Sequence, residues 1–424
     1  MAKKKISGLP AGSALNGTEL VPIVQTGTTK RITTQDIANL GNASGVEGTG
    51  TINRVAKFTA ASTIGNSLIN DNGTSVWTNG GGAIASNTAY GQSALTSNTT
   101  GTDNVAFGLS ALNANLIGAS NSAFGHEALI FSTGNLNTAV GKHTLRTLTT
   151  GTNNTGVGAL ALRLNSVGSF NTAIGKSALE ENTASNNTAV GFEAAHSNTS
   201  GAEIIALGYQ ALRANTTGNY NSAVGYQSLR TNTTGSNNSV LGNSALFSNT
   251  TGSNNSAIGN GALLYNLTGN NNTAIGYFSL LNNTASNNTA VGFEAAYSNT
   301  SADEITALGY RALKANTTGV SNTAFGSTAL SANTTGNANT AIGSNAMNAN
   351  TTGSNNNVIG YNQVCTNFSG VSMLGRSDTA TGSNQMRFGS SAVNNGAVAT
   401  EVLVSDRSWS VFINGTAYKI LLKA

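Results

Sequence analysis

The chain has 424 residues, with 51 Gly, 2 Pro and only 8% charged residues against the ~25% of an ordinary globular domain. Apolar residues reach 38% and recur at fixed places, which argues against a disordered low-complexity chain. The net charge of +4 owes much to Lys3, Lys4, Lys5, Lys30 and Arg31 near the start, and basic patches with interleaved aromatics are absent, so no nucleic-acid partner is expected. One cysteine, Cys365, excludes an intrachain disulfide framework and any cysteine metal cluster; it is expected as a small packed residue. No run approaches the roughly 18 apolar residues of a membrane span. "MAKKKISGLPAG" has a basic start without an apolar segment after it, so no secretory signal is expected, and synthesis and assembly are expected in the cytoplasm.

The first 45 residues and the segment 46–85 both alternate apolar and polar residues between glycines. "ELVPIVQTGTTKRITT" and "NRVAKFTAASTIGNSLIN" predict short strands in small β modules.

From residue 86 to 365 the chain repeats. Glycines preceded by an apolar residue fall at Gly91, Gly108, Gly125, Gly141 and onward to Gly360, and of the sixteen steps thirteen are 17 residues and three are 16. Four residues after these marker glycines stands Leu in thirteen of seventeen cases, and small residues such as Ala173 and Ala178 line the inner positions. The segment "NTASNNTAVGFEAA" occurs at 182–195 and again at 283–296, an offset of five 17-residue steps and one of 16, so a six-coil block has been copied in register. All three 16-residue steps lose their residue in the polar half of the unit. A fixed coil length with variation confined to turns predicts a β-solenoid whose strands lie ~4.8 Å above one another. Each coil reads as two short strands separated by a tight bend at the marker glycine. A second glycine, as at Gly218, Gly235, Gly252 and Gly319, is expected in a left-handed turn. Asn-Thr-Thr and Asn-Asn-Thr triplets are read as turns and side-chain ladders.

One 17-residue coil has little apolar content with which to enclose a core. The Val/Ile column before the marker and the Leu column after it are expected to form one apolar stripe, which three chains about a common axis would cover. The sixteen steps predict a shaft of roughly 75 to 80 Å. Beyond Gly360 the rhythm shortens, and "VSMLG" and "QMRFG" read as tapering coils. The final "EVLVSDRSWSVFINGTAYKILLKA" predicts a strand pair turning at Asn414-Gly415.

Residues that could carry chemistry are few. His126, His143 and His196 have no metal-ligand spacing by sequence and are expected as solvated side chains, so neither metal nor cofactor is expected. Glu193 and Glu294 occupy the same place in the copied blocks; a carboxylate pair could hydrolyse a glycan, but the duplication explains them as well. Phe192, Tyr209 and Tyr226, and then Tyr277, Phe293 and Tyr310, form a column just past the marker, expected to stack along the shaft and able in principle to meet sugars. Trp409, Tyr418 and Arg407 are candidate contacts at the C-terminal tip.

The motifs "NTAVGFEAA", "NSAVGYQSL" and "NTAIGYFSL" resemble the head repeats of trimeric adhesins, a left-handed β-roll, over residues 86–365. The coil here is longer. The segments at 6–40 and 50–76 are similar to the leading and linking segments of phage tail-fibre and appendage proteins. Together the resemblances imply an all-β homotrimer. Residues 1–45 would be a virion-attachment module, 46–85 a linker with a short β segment, 86–365 the solenoid shaft, and 366–424 tapering coils and a β-hairpin tip. They imply a non-enzymatic structural fibre of a bacteriophage virion, assembled in the host cytoplasm without membrane insertion, whose partners are its own copies, other virion proteins and a host-surface glycan or protein. The alternatives are a trimeric bacterial surface adhesin, a phage head-decoration fibre, a glycan-degrading tailspike, and an ice-binding solenoid, for which the flat Thr-x-Thr face is lacking.

Overall fold

The computed structural model describes residues 84 and 86–389 throughout, and beyond these the strands at 20–25, 28–33, 53–60, 63–71, 76–78, 408–413 and 416–421. Every described element is β or turn. Near the N-terminus β1 (Leu20–Gln25) and β2 (Thr28–Thr33) pair antiparallel, and β3 (Asn53–Ala60), β4 (Thr63–Asp71) and β5 (Val76–Thr78) form an antiparallel three-stranded sheet. Near the C-terminus β25 (Ser408–Ile413) and β26 (Thr416–Leu421) pair antiparallel across residues 414–415, as the hairpin signal predicts.

Between them runs a parallel solenoid with one short strand per coil, from β6 (Thr88–Tyr90) to β23 (Ser372–Gly375) and β24 (Met386–Gly389). Every pairing joins consecutive strands and none joins β6 to β24, so the ladder is a linear stack. The coils are in register, with Thr172 opposite Thr188, Ala173 opposite Ala189 and Ile174 opposite Val190. The tapering segments carry β23 and β24, which extend the same sheet beyond residue 365. With eighteen steps at ~4.8 Å, the stack is roughly 85 Å long.

The expected second strand is absent. After the marker glycine the chain makes turns in which alternate residues adopt positive φ, as at Ser177 (57°) and Leu179 (49°). This alternation aims successive amides in opposite axial directions: Ser177 N–H donates to Ala159 O in the preceding coil at 2.9 Å, and Leu179 N–H to Ala194 O in the next at 3.0 Å. The turns thus bond along the stack as strands do, although an L-residue at positive φ costs about 1–2 kcal/mol. A third positive-φ residue stands five before the next marker, as at Asn153 and Asn254.

The second glycines are not in left-handed turns, since Gly218, Gly235, Gly252 and Gly319 lack positive φ. They answer a close approach instead. A Cβ at Gly201, in the same column, would stand 2.5 Å from Gly218 O in the coil beneath.

The core also differs from expectation, because each coil encloses its own. The Ala columns and the Leu column are fully buried within one chain, as at Ala173, Ala178, Leu179 and Leu229. The polar half of the coil is not a solvated turn but contributes two buried asparagine columns. In one column Asn238 donates Nδ2–H to Asn221 Oδ1 (3.1 Å) and to Gly252 O (3.0 Å), while its Oδ1 accepts from Asn255 N–H and Nδ2–H. In the other, Asn232 donates to Asn215 Oδ1 and Gly235 O, and accepts from Asn249. The expected ladders are present, and they are interior. Cys365 is buried as expected, and burial pushes its thiol up to about 11.

Of the two columns expected to form the apolar stripe, only the one just before the marker glycine faces outward. Val140, Ile174, Ile258 and Ile342 are each about two-fifths exposed, so the stripe consists of this column alone and the Leu column is not part of it.

Two comparisons test these assignments. Leu229→Asp puts an unpaired charge into a fully buried position and is expected to cost several kcal/mol, whereas Arg230→Asp, one residue on, loses only a 3.1 Å bond to Gln210 and a cation–π contact with Phe247, and is expected to cost about 1 kcal/mol or less. Equal losses in denaturant unfolding would show that the faces are wrongly assigned. Asn238→Asp preserves shape but replaces two donors by acceptors facing oxygen atoms, so it is expected to destabilise by about 3 kcal/mol or more at neutral pH and to recover partly on acidification. An Asn238→Asp variant as stable as the parent at neutral pH would contradict an interior amide ladder.

Candidate functional site

Side chains on the residues just past the marker glycine lie beside those of the same column one coil away, so a 17-residue spacing in sequence becomes contact in space. The aromatic column obeys this rule. Phe192, Tyr209 and Tyr226 stack at centroid separations of 5.4 and 5.2 Å, and Tyr277, Phe293 and Tyr310 at 5.3 and 5.5 Å, all within 14° of parallel. Their faces are mutually covered and their edges meet solvent, as expected for rings stacked along a shaft. Arg311 caps Tyr310 at 4.9 Å and Lys176 reaches Phe192 at 5.8 Å. A further stack that sequence reading did not single out joins Tyr90 to Phe107 at 4.9 Å in the outward column before the marker.

The six-residue column is two separate stacks. Asn243 and Asn260 interrupt it, and a shallow cleft of about 340 Å³ opens beside them, lined by Phe247, Tyr265, Phe278 and Gly261 among others. Asn243 is exposed, and its Oδ1 accepts from Ser244 Oγ at 2.9 Å.

The two glutamates do not form a catalytic pair. Six coils separate Glu193 from Glu294, about 29 Å at the strand spacing, far beyond the roughly 5–10 Å of a glycosidase carboxylate pair. Each is held by cations. Arg213 bonds Glu193 at 2.6 Å, with Gln210 at 2.9 Å, and holds its carboxyl below the usual range. Lys314 at 2.7 Å and Arg311 at 2.9 Å do the same for Glu294. Such groups stay ionised and make poor proton donors.

The histidines are not simply solvated. His126 and His143 lie on adjacent coils with rings 5.1 Å apart, and both face Glu127. His143 Nε2 lies 3.5 Å from Glu127 Oε2 and His126 Nε2 lies 3.8 Å from Oε1, while Arg146 Nε bonds Oε2 at 2.6 Å. The Arg146 bond holds the Glu127 carboxyl low, and burial pushes the His143 imidazole down. His196 lies 3.4 Å from Glu180, which Arg163 also holds at 2.8 Å. The signal for these clusters was available, since once the period is 17, residues 126 and 143 or 163 and 180 belong to neighbouring places. A search for metal-ligand spacings along the chain does not register it.

Of the expected tip contacts, Arg407 lies outside the described residues. Trp409 is on β25 opposite Ile420, and Tyr418 is on β26 opposite Val411. Among the described residues no helix is long and apolar enough to cross a membrane. No family model matches the chain, and neither the curated proteins nor the solved structures contain a detectable relative.

Proposed function

We propose that this chain is the shaft-bearing subunit of a non-enzymatic fibre on a tailed-phage virion, a homotrimer assembled in the host cytoplasm. Residues 1–45 join it to other virion proteins, and its shaft or C-terminal hairpin meets a host-surface glycan or protein. The observation that carries the assembly is the outward Val/Ile/Phe column, which runs along the solenoid on one side while the Ala and Leu columns are buried. A stripe of this length on a free rod would promote irregular association. Rotation about a common axis covers it with a heterologous contact that closes. The small antiparallel modules at both ends suit attachment and contact better than the repeat does, because they break its periodicity. The resemblance of residues 6–40 and 50–76 to appendage segments supports the phage reading over a surface adhesin. The cation-bound, widely separated glutamates weigh against a glycan-degrading tailspike.

Because the Leu and Asn columns close within one chain, the outward column can be changed without opening the core. Sedimentation of the purified chain is expected to give three times the 42.7 kDa chain mass, and an Ile174→Lys, Ile258→Lys, Ile342→Lys variant a folded monomer. A monomeric parent, or a trimer indifferent to the three lysines, would reject this assembly. The virion assignment has its own readout: antibody to the chain should decorate projecting fibres on virions, and removal of residues 1–45 should abolish that labelling while leaving a soluble rod.

A further inference from the structure

The repeat makes its own comparison set, and two adjacent coils depart from it together. The coils beginning at Gly125 and Gly141 break the interior Asn column with Ser132 and Leu148, and Ser132 Oγ is buried without a partner. On their outer surface His126 takes the place that rings hold in the aromatic coils, and Glu127, His143 and Arg146 stand beside it at the positions where Glu193 and Arg213 pair elsewhere in the stack. Two imidazoles and a carboxylate therefore meet on neighbouring coils, with one donor atom from each within 4.8 Å of the others.

We propose that His126, His143 and Glu127 form a surface site for a divalent transition-metal ion of the zinc, nickel and copper class. Two imidazole nitrogens and one carboxylate oxygen are donors suited to those ions rather than to calcium or magnesium, which favour all-oxygen sets. Three protein ligands leave at least one position for water or an outside group. Donors bound at about 2.0–2.2 Å to one ion must approach one another more closely than they do here. The adjustment falls on half-exposed side chains with rotamer freedom, not on the backbone. The backbone is fixed in register, because His143 N–H donates to His126 O at 2.9 Å. Arg146 bonds Glu127 Oε2 and leaves Oε1 toward His126, so it both orients the carboxylate and competes with the incoming cation. Lys142 adds a second positive charge nearby. The site is thus one whose affinity is lowered by its own arginine. The cluster around His196 is different, with one imidazole and a carboxylate held by Arg163.

Calorimetric titration of the full, tag-free chain with zinc chloride tests this. The expected result is one saturable ion per chain, with affinity reduced about tenfold or more in His126→Ala, His143→Ala and Glu127→Gln. His196→Ala should be unchanged, and Arg146→Gln should tighten binding severalfold by removing the competitor. The altered side chains are half-exposed, and far-ultraviolet dichroism checks that each variant keeps the fold. If an alanine variant does not, His126→Asn and His143→Gln remove the ligand with less change in size. Absence of saturable zinc uptake by the parent chain would overturn the site, as would uptake that survives loss of both histidines.

Discussion

One constraint governs this molecule: at every marker glycine the backbone of one coil rests directly on the backbone of the next. A Cβ on Gly259, whose φ is 125°, would stand 2.6 Å from the carbonyl oxygen of Gly276, and one on Gly141 would stand 2.7 Å from that of Gly158. No side chain fits there, and few L-residues accept that φ. The coil must therefore return to the same place after 16 or 17 residues along the shaft, and after 15 from Gly360 to Gly375, and the 16-residue coils of the shaft lose their residue in the polar half. Strand register, the alternating turn amides and the buried columns all follow from that repeated return.

Within a narrow coil there is little room for large apolar groups, and the structure fills the rest with amides. An asparagine side chain carries two donors and an acceptor, the pattern needed to bridge backbone groups in its own coil and an identical side chain in the next. Buried polar groups are costly only when left unpaired, and here each rung supplies the partner for the one beside it. Where one column changes to Ser132 the bond is missing and at Leu148 an apolar side chain fills the place, as Ile204 does in the other column. The result is an inversion of the usual arrangement: asparagine lies inside, while Ile174 and its equivalents face out. Positive-φ leucines such as Leu179 show the same priority, since axial bonding outweighs a local backbone cost that recurs in most coils.

Much of this could be read from the chain before any fold was known. The period, the Leu column and the hairpin at Asn414-Gly415 follow from spacing, and the aromatic column was correctly expected to stack. Three features were harder to read. A run such as Lys176 to Leu179 reads as a strand in sequence, but Ser177, Ala178 and Leu179 are all buried and the φ signs alternate, a backbone that sequence pattern cannot distinguish from a strand. Asparagine is usually a turn residue, so a column of them suggests surface until the inter-coil bonds are drawn. The cluster of His126, Glu127 and His143 required the period to be applied to chemistry as well as to packing. At the tip, Arg407 is a candidate on which the described residues are silent, and Trp409 and Tyr418 are placed only by strand register.

The functional proposal and the metal site both use the stack as a scaffold, presenting one apolar column to neighbouring chains and one pair of coils to an ion. Both fail if the coils do not press together at glycine. The direct test is denaturant unfolding of Gly259→Ala. Ala at a compatible glycine position usually stabilises by about 0.4–1 kcal/mol. Here the methyl meets a carbonyl of the next coil in a backbone conformation it resists, so a loss of about 3 kcal/mol or more is expected, with the stack parting first between the coils at Gly259 and Gly276. A variant that unfolds at the denaturant concentration of the parent would contradict backbone-on-backbone stacking at the marker glycines.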